Sequence, residues 1–336
     1  MIAPRRSTPL LPGTLKNLFY PPERNEYTYF ARASEVPFTT GDKIAKAAWS
    51  ADASMLAYAR YGSDRMRDGD LDANFNRAGL KYRKVGGTAE NWNARGTQAV
   101  FAWCDQFAIL AFRGTEADDP DDIAYDADIL LVHEPDYRPV PGDPRPVLGH
   151  LAWVTHLFSP PCLVHRGFQQ ALSEVWAQIH QEVTGYRTSH PQAEIRLTGH
   201  SLGGALAVLA FSRFADPDIS LCTFGCPRVG DAAFRDRVLS NPGSTTRFVN
   251  VNDAVTHVPL ESLLYTHAPS ECCRFDEHGR LDRGGDGFTG DLDSLRAAIA
   301  GLPGSAHPGN LDQIPAPPSV VDHSPARYCF RLWDCV

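Results

Sequence analysis

The pentapeptide Gly199-His200-Ser201-Leu202-Gly203 carries the clearest chemistry in this chain of 336 residues. The serine of a G-x-S-x-G pattern acts as a nucleophile when the pentapeptide forms a sharp turn between a strand and a helix. Alternating residues over 195–198 predict the strand, and an Ala- and Leu-rich run over 202–211 predicts the helix. We therefore predict Ser201 as a nucleophile. The N–H of Leu202, at the helix start, is a predicted oxyanion donor.

A serine hydroxyl needs a base, and the base needs an acid to orient it. Hydrolases with this turn carry the three groups in the order Ser, Asp or Glu, His. Asp253 directly follows a predicted strand over 246–251, so it is the predicted acid. The alternative acid, Asp231, is better explained as the N-cap of a helix.

The segments around these residues alternate between strand and helix. We predict strands over 98–103, 107–112, 195–198, 219–224 and 246–251, outer strands over 264–275 and 280–281, and helices over 42–61, 167–185, 202–211 and 231–239. The first two strands predict an antiparallel hairpin, and the later alternation predicts a parallel sheet with covering helices. Active groups in such sheets lie beyond the carboxyl ends of the strands, where Ser201 and Asp253 fall.

Composition excludes several classes of partner. With 43% hydrophobic and 21% charged residues, the chain is typical of a globular protein, and its formal net charge of -8 argues against nucleic acid. No apolar run reaches the roughly 18 residues of a transmembrane helix. Arg5 and Arg6 precede Pro9 and Pro12 instead of an apolar stretch, so we predict no signal peptide. Cytoplasmic location and secretion by another route both stay open.

Several further segments carry a resemblance to a known family. They read Phe112-Arg113-Gly114-Thr115, Val164-His165-Arg166-Gly167-Phe168, Phe224-Gly225-Cys226-Pro227-Arg228-Val229-Gly230-Asp231, Arg247-Phe248-Val249-Asn250-Val251-Asn252-Asp253 and Val321-Asp322-His323-Ser324. With the pentapeptide, and in this order, they resemble the class 3 lipases, the α/β-hydrolase group that includes filamentous-fungal triacylglycerol lipases. The resemblance covers roughly residues 95 to 330. It implies an α/β-hydrolase fold with a central, mostly parallel sheet, an antiparallel N-terminal hairpin and helices on both faces.

The resemblance also implies roles for particular residues. Thr115 matches the family's second oxyanion-hole group. His323 matches the family's D-H segment, and an aromatic-rich strand over 328–333 is predicted to follow it. We therefore predict His323 as the base rather than His307, its main rival among the 12 histidines. His165, which opens a helix, is predicted to be structural, and His200 is predicted to point away from Ser201. This chemistry needs no metal or cofactor.

Two segments depart from the family pattern. The family places a short lid with a Trp after the strand that carries Thr115, whereas residues 116–128 are acidic and lack a Trp. Asp128 fits the family's trailing Asp, and a solvated acidic loop is the alternative interpretation. A Pro-rich insertion over 133–163 is longer than the family usually has. This insertion is predicted to form the roof of the acyl site or the face that meets a lipid–water interface. The alternative is a packed surface segment in which Trp153 and Phe158 are buried.

Domain organisation and cysteine use complete the predictions. Residues 1–40 are predicted to form an irregular arm, and residues 41–336 a single domain. Eight cysteines in a chain of this length are not a disulfide framework. Cys222 and Cys226 are predicted to be buried thiols, and Cys329 and Cys335 are a candidate pair in an oxidising compartment.

These observations predict a carboxylic ester hydrolase, with triacylglycerol lipase as the favoured activity and a lipid or other carboxylic ester as substrate. Phospholipase A1 and feruloyl-type esterase activities on the same scaffold remain alternatives, because acyl specificity depends on pocket shape. A non-catalytic lipase-like binding protein is the alternative from a different class. A serine peptidase or thioesterase is weaker still, because the F-R-G-T and V-H-R-G-F segments favour the lipase group.

Overall fold

The structure is a computed structural model that describes residues 2–6, 27–58, 68–87, 96–114, 130–134, 162–268, 271–283 and 321–336. The helices described are α1 (Lys43–Leu56), α2 (Asp68–Arg77), α3 (Arg166–Ser189), α4 (Leu202–Arg213), α5 (Ala232–Leu239) and α6 (Pro325–Cys335). The strands are β1 (Lys81–Gly86), β2 (Gln98–Trp103), β3 (Phe107–Phe112), β4 (Leu131–His133), β5 (Leu163–His165), β6 (Glu194–His200), β7 (Ile219–Phe224), β8 (Thr245–Asn250), β9 (Glu271–Phe275) and β10 (Leu281–Arg283).

Eight strands form the central sheet in the order β1-β2-β3-β6-β7-β8-β9-β10. β1, β2 and β3 are antiparallel, the pairs from β3 through β6, β7 and β8 to β9 are parallel, and β10 returns antiparallel to β9. The mostly parallel sheet with an antiparallel N-terminal hairpin is therefore confirmed. The parallel register brings the ends of β6, β7 and β8 to one edge.

Helices cover both faces of this sheet, as predicted. On one face, α1 and α6 pack with the aromatic residues that surround Trp49. On the other face, α3, α4 and α5 contribute a core that includes Leu172, Leu206 and Phe234. β6 and β7 lie between these two apolar layers. Nearly all of their residues are buried, because both faces of a central parallel strand are covered.

Helix ends agree well with capping rules. The carboxylate of Asp42 accepts the N–H groups of Ile44 and Ala45, and that of Asp231 accepts the N–H of Phe234. The cap at Asp231 was predicted from the sequence. Helix α1 ends at Leu56, earlier than the predicted Tyr61, while α3 extends four residues beyond the predicted Gly185.

The C-terminal segment differs from its prediction. The predicted strand over 328–333 is wrong, because these residues lie within helix α6. Aromatic residues favour strands, but buried side chains at Ala326, Cys329 and Leu332 recur at helical spacing, and Pro325 occupies the first turn. The outer strand predicted over 264–275 is also shorter, since β9 begins at Glu271.

Helix α6 contains both cysteines of the candidate disulfide, Cys329 and Cys335. All eight cysteines are free, so the candidate pair of Cys329 and Cys335 does not form. Six residues along a helix separate two Cα atoms by about 9 Å, which exceeds the roughly 7 Å limit for a disulfide. Cys222 and Cys226 are buried thiols, as predicted.

The predicted insertion over 133–163 begins and ends in a small two-stranded sheet. β4 pairs antiparallel with β5, with His133 opposite Leu163. A buried ion pair of 2.7 Å between Arg213 Nε and Glu134 Oε1 fixes this sheet to the end of α4. Trp153 and Phe158 lie outside the described residues, as do the acidic run with Asp128 and the loop with His307.

Residues 27–42 form turns that pack on α1, consistent with an irregular arm. Ile2 forms an isolated bridge with Leu281 at the edge of the sheet. The division into an arm and a single domain stays a prediction. Within the described ranges, no helix combines the length and apolar character required to cross a bilayer.

Candidate active site

Ser201 lies on a strained turn between β6 and α4. Its φ of 57° and ψ of -130° fall in a region that residues with a side chain seldom occupy. The backbone nevertheless holds it, because the Ser201 N–H donates to the carbonyl of Phe224 at 3.0 Å. The turn directs the side chain to the carboxyl edge of the sheet, and Leu202 begins the helix. The N–H of Leu202 is thus among the first-turn N–H groups that have no acceptor within a helix.

Two glycines permit this turn. A methyl group at Gly199 would overlap the backbone of Gly203, and one at Gly203 would overlap the carbonyl of Phe112. Strand β6, helix α4 and the end of β3 therefore approach one another more closely than any larger residue would allow. This explains the spacing of the glycines around Ser201.

The structure brings Ser201, His323 and Asp253 together, although they are far apart in the sequence. His323 Nε2 lies 2.9 Å from Ser201 Oγ, and His323 Nδ1 lies 3.0 Å from both carboxylate oxygens of Asp253. Asp253 is fully buried, and Ser201 and His323 are at most 9% exposed. The imidazole lies between hydroxyl and carboxylate, in the geometry that proton transfer from the hydroxyl requires.

Asp253 is held by more than the imidazole. Its Oδ1 accepts the N–H of Val255 at 3.0 Å, and its Oδ2 accepts the hydroxyl of Tyr328 at 2.6 Å. Burial, followed by the nearby carboxylate of Asp253, raises the pKa of Tyr328 well above its ordinary value, so this phenol remains a donor. The absence of a side chain at Gly225 provides the space for this carboxylate, because a methyl group there would lie 2.7 Å from Asp253 Oδ2.

A second polar network fixes the segment that carries His323. Asn250, at the end of β8, donates through Nδ2 to the carbonyl of Asp322 at 2.7 Å. Arg331 Nη1 donates to Asn250 Oδ1 at 2.6 Å, and Arg327 Nη1 pairs with Asp322 at 2.7 Å. Helix α6 therefore anchors His323 against the end of β8, beside Asp253.

His200, inside the pentapeptide, faces away from the Ser201 hydroxyl, as predicted. Its Nε2 lies 2.6 Å from the backbone oxygen of His323, and its Nδ1 lies 2.9 Å from the hydroxyl of Tyr58. Burial, and then the neighbouring His323, lowers the pKa of His200 well below its ordinary value. This imidazole is therefore neutral at physiological pH.

The alternative acid, Asp231, and two other histidines, His165 and His267, have other partners. Asp231 caps α5, and His165 caps α3 by accepting the N–H of Phe168 at 3.4 Å. His267 contacts the carbonyl of Thr256 at 2.7 Å. Thr115, the predicted oxyanion residue, lies outside the described residues, directly after Gly114, so its role stays a prediction.

Sequence reasoning missed the residues that support the three central groups. Tyr58, Asn250 and Tyr328 contact the site through hydrogen bonds that connect distant segments of the chain. The one signal available was the aromatic-rich C-terminus, which was interpreted as a strand. A helical interpretation would have placed Tyr328 in the first turn of a helix that begins just after His323.

Comparison with known proteins gives a family for the central part of the chain. Residues 109–263 match the family described as lipase (class 3). The secreted mono- and diacylglycerol lipase 1 of Fusarium solani is 37% identical over 112 residues, which are 33% of this chain and 34% of that protein. The lipase of Rhizomucor miehei is 36% identical over 115 residues, 32% of either chain. The matched region spans about a third of the length of these curated relatives.

Solved structures agree with the architecture. A triacylglycerol lipase with a serine protease triad as its catalytic centre has a TM-score of 0.51 and 22% identity, covering 77% of this chain and 88% of its own. This likeness concerns the fold, and it confirms the predicted α/β-hydrolase fold.

Proposed function

We propose that this chain, whose residues 109–263 match the class 3 lipase family, is a carboxylic ester hydrolase with triacylglycerol as its substrate class. The observation that supports this most strongly is the geometry around Ser201, whose Oγ lies 2.9 Å from an imidazole that contacts the buried Asp253. The relatives named for mono-, di- and triacylglycerol hydrolysis support the choice of substrate.

The proposed reaction proceeds through an acyl-enzyme. His323 Nε2 accepts the proton of Ser201 as Oγ attacks the ester carbonyl, and Asp253 stabilises the resulting imidazolium. The N–H of Leu202 donates to the oxyanion, and Thr115 is the proposed second donor. His323 then protonates the leaving alcohol. Water, deprotonated by the same imidazole, hydrolyses the acyl-enzyme and restores the Ser201 hydroxyl.

Ester hydrolysis by the Ser201→Ala variant tests this proposal. We expect the wild type to hydrolyse emulsified triglyceride and long-chain p-nitrophenyl esters, and Ser201→Ala to lose at least about a thousandfold in kcat. Ser212→Ala, which removes a hydroxyl bonded to the Leu209 carbonyl at the far end of α4, is the matched control and should stay active.

The same panel separates the alternative activities. Activity on short soluble esters alone would replace the lipase assignment with an esterase. Preference for a phospholipid or a feruloyl ester would favour those activities on the same scaffold. A folded wild type that hydrolyses none of these esters would contradict the proposal and favour a non-catalytic binding protein.

A further inference from the structure

Tyr58 and His200 take part in no step of the proposed reaction, yet they lie next to His323, the proposed base. Tyr58 follows the end of α1, and His200 is the last residue of β6. Both side chains are at most 9% exposed. Their rings lie 5.9 Å apart, and the His200 ring lies 4.5 Å from that of His323.

The hydrogen bonds between these groups have a defined direction. The His323 backbone oxygen, 2.6 Å from His200 Nε2, can only accept, so Nε2 carries the proton. Because His200 is neutral, its Nδ1 is then an acceptor, and the Tyr58 hydroxyl 2.9 Å away donates to it. The same hydroxyl lies 3.4 Å from the backbone oxygen of His200, which is a longer and weaker contact.

The other end of this chain of bonds lies at the end of β3. The Tyr58 hydroxyl lies against the backbone of Gly114, since a methyl group at Gly114 would overlap that hydroxyl. Gly114 directly precedes Thr115, the proposed oxyanion residue. Two directed hydrogen bonds therefore run from Tyr58 through His200 to the backbone of His323, and Tyr58 joins them to Gly114 by close packing.

We propose that Tyr58 and His200 are a positioning pair, which holds the backbone of His323 and the β3 end at Gly114 in one fixed arrangement. This inference rests on the proposed function, because it assigns the pair to the base of that reaction. The His323 carbonyl selects the His200 tautomer with its proton on Nε2, and the Tyr58 hydroxyl donates to Nδ1 and holds the ring in this orientation. In the other tautomer, a ring lone pair would face the His323 carbonyl at 2.6 Å and push the base out of line with Ser201.

Kinetics of four variants test the proposal. Small displacements of a base lower kcat with little effect on ground-state binding, so we expect Tyr58→Phe and His200→Ala to lose about tenfold in kcat on a soluble ester, with KM within about twofold. His200→Gln keeps an N–H donor near Nε2 and should retain more kcat than His200→Ala. Tyr186→Phe, which loses a hydroxyl bond of 2.8 Å to the Cys104 carbonyl far from the site, should keep wild-type kcat.

Nitrogen-15 NMR of the histidine rings gives a readout independent of turnover, and Tyr58→Phe is conservative enough to fold. We expect His200 to hold the Nε2–H tautomer in the wild type, and the resonance of its Nδ1 to shift in Tyr58→Phe, where the hydrogen bond to this nitrogen is lost. A wild-type His200 protonated at Nδ1, or unchanged kcat in both Tyr58→Phe and His200→Ala, would overturn the proposal that these two residues position His323. An inert wild type with the expected tautomers would contradict the proposed function while leaving the arrangement of the pair supported.

Discussion

At the scale of single residues, Asp253 differs from every other carboxylate considered for the site. It is fully buried and accepts from Val255 and Tyr328 while it contacts His323 Nδ1. These contacts hold the carboxylate beside the imidazole, where it can stabilise an imidazolium. Asp231, the alternative acid in the sequence, accepts the N–H of Phe234 at the start of α5 instead.

Asp253→Asn should therefore abolish most of the activity without unfolding the chain. An amide presents a donor to the imidazole and favours the wrong tautomer of His323, and we expect kcat to fall by about 10³ to 10⁴. Asp231→Asn is the matched control, because an Asn remains a good N-cap and should leave kcat within about twofold. Equal losses in the two variants, measured on one soluble ester, would refute the choice of acid.

At the scale of elements, the turn between β6 and α4 depends on close contact of three backbones. Gly203 has no space for a methyl group, whereas Gly185, near the C-terminal end of α3, has no atom within 4 Å of such a group. The two positions therefore separate a glycine that packing requires from one that it does not. Alanine is the better helix former where space allows.

We expect Gly203→Ala and Gly185→Ala to shift stability in opposite directions. Gly203→Ala overlaps backbone atoms that cannot move aside, and it should lower the free energy of unfolding by about 2 kcal/mol or more. Gly185→Ala should raise it by about 0.5–1 kcal/mol. Urea unfolding of both variants measures this. A Gly203→Ala variant as stable as the wild type would be incompatible with the packing described.

Sequence patterns predicted the limits of helices and strands well where the hydrophobic pattern and the turn residues agreed. β2, β3 and β7 have the predicted limits because their apolar runs end at turns, and Ser201 with its helix followed from local spacing. The C-terminal helix was missed because its aromatic residues also suit a strand. Tyr58 and Tyr328 were missed for another reason. Their contacts to His200 and Asp253 connect residues 142 and 75 positions apart, and no local pattern encodes such pairs.

At the scale of the whole molecule, Asp52 joins the N-terminal arm to the C-terminal helix. It lies in α1, fully buried, and accepts from the hydroxyl of Tyr27, the N–H of Phe30 at 2.7 Å and Trp333 Nε1 at 3.1 Å. Burial raises its pKa from 3.8 to about 6, even though these donors oppose the shift. The two ends of the described chain are thus linked through one titratable group.

This junction should make stability depend on pH. Between pH 4 and 6 the folded state holds a proton on Asp52 that the unfolded chain has lost, so the free energy of unfolding contributed by this group falls as pH rises through that window. The change is on the order of 2–3 kcal/mol. Asp52→Asn cannot titrate, so its deficit in stability relative to the wild type should shrink as pH rises from 4 to 7.

Urea unfolding at several pH values measures this difference. Asp105→Asn, at the exposed turn between β2 and β3, is the control and should parallel the wild type throughout. If the deficit of Asp52→Asn is constant from pH 4 to 7, Asp52 does not titrate in that range, and the pH dependence assigned to it is wrong.

Covalent capture of the nucleophile tests the central claim most directly. A p-nitrophenyl alkylphosphonate transfers its phosphonyl group to an activated serine, with release of p-nitrophenolate, and leaves a stable adduct that mass spectrometry can locate. We predict stoichiometric labelling of the wild type at Ser201, none at this site in Ser201→Ala, and labelling slowed by at least about a hundredfold in His323→Ala. An adduct on another residue, or hydrolytic activity that persists in Ser201→Ala, would contradict the account.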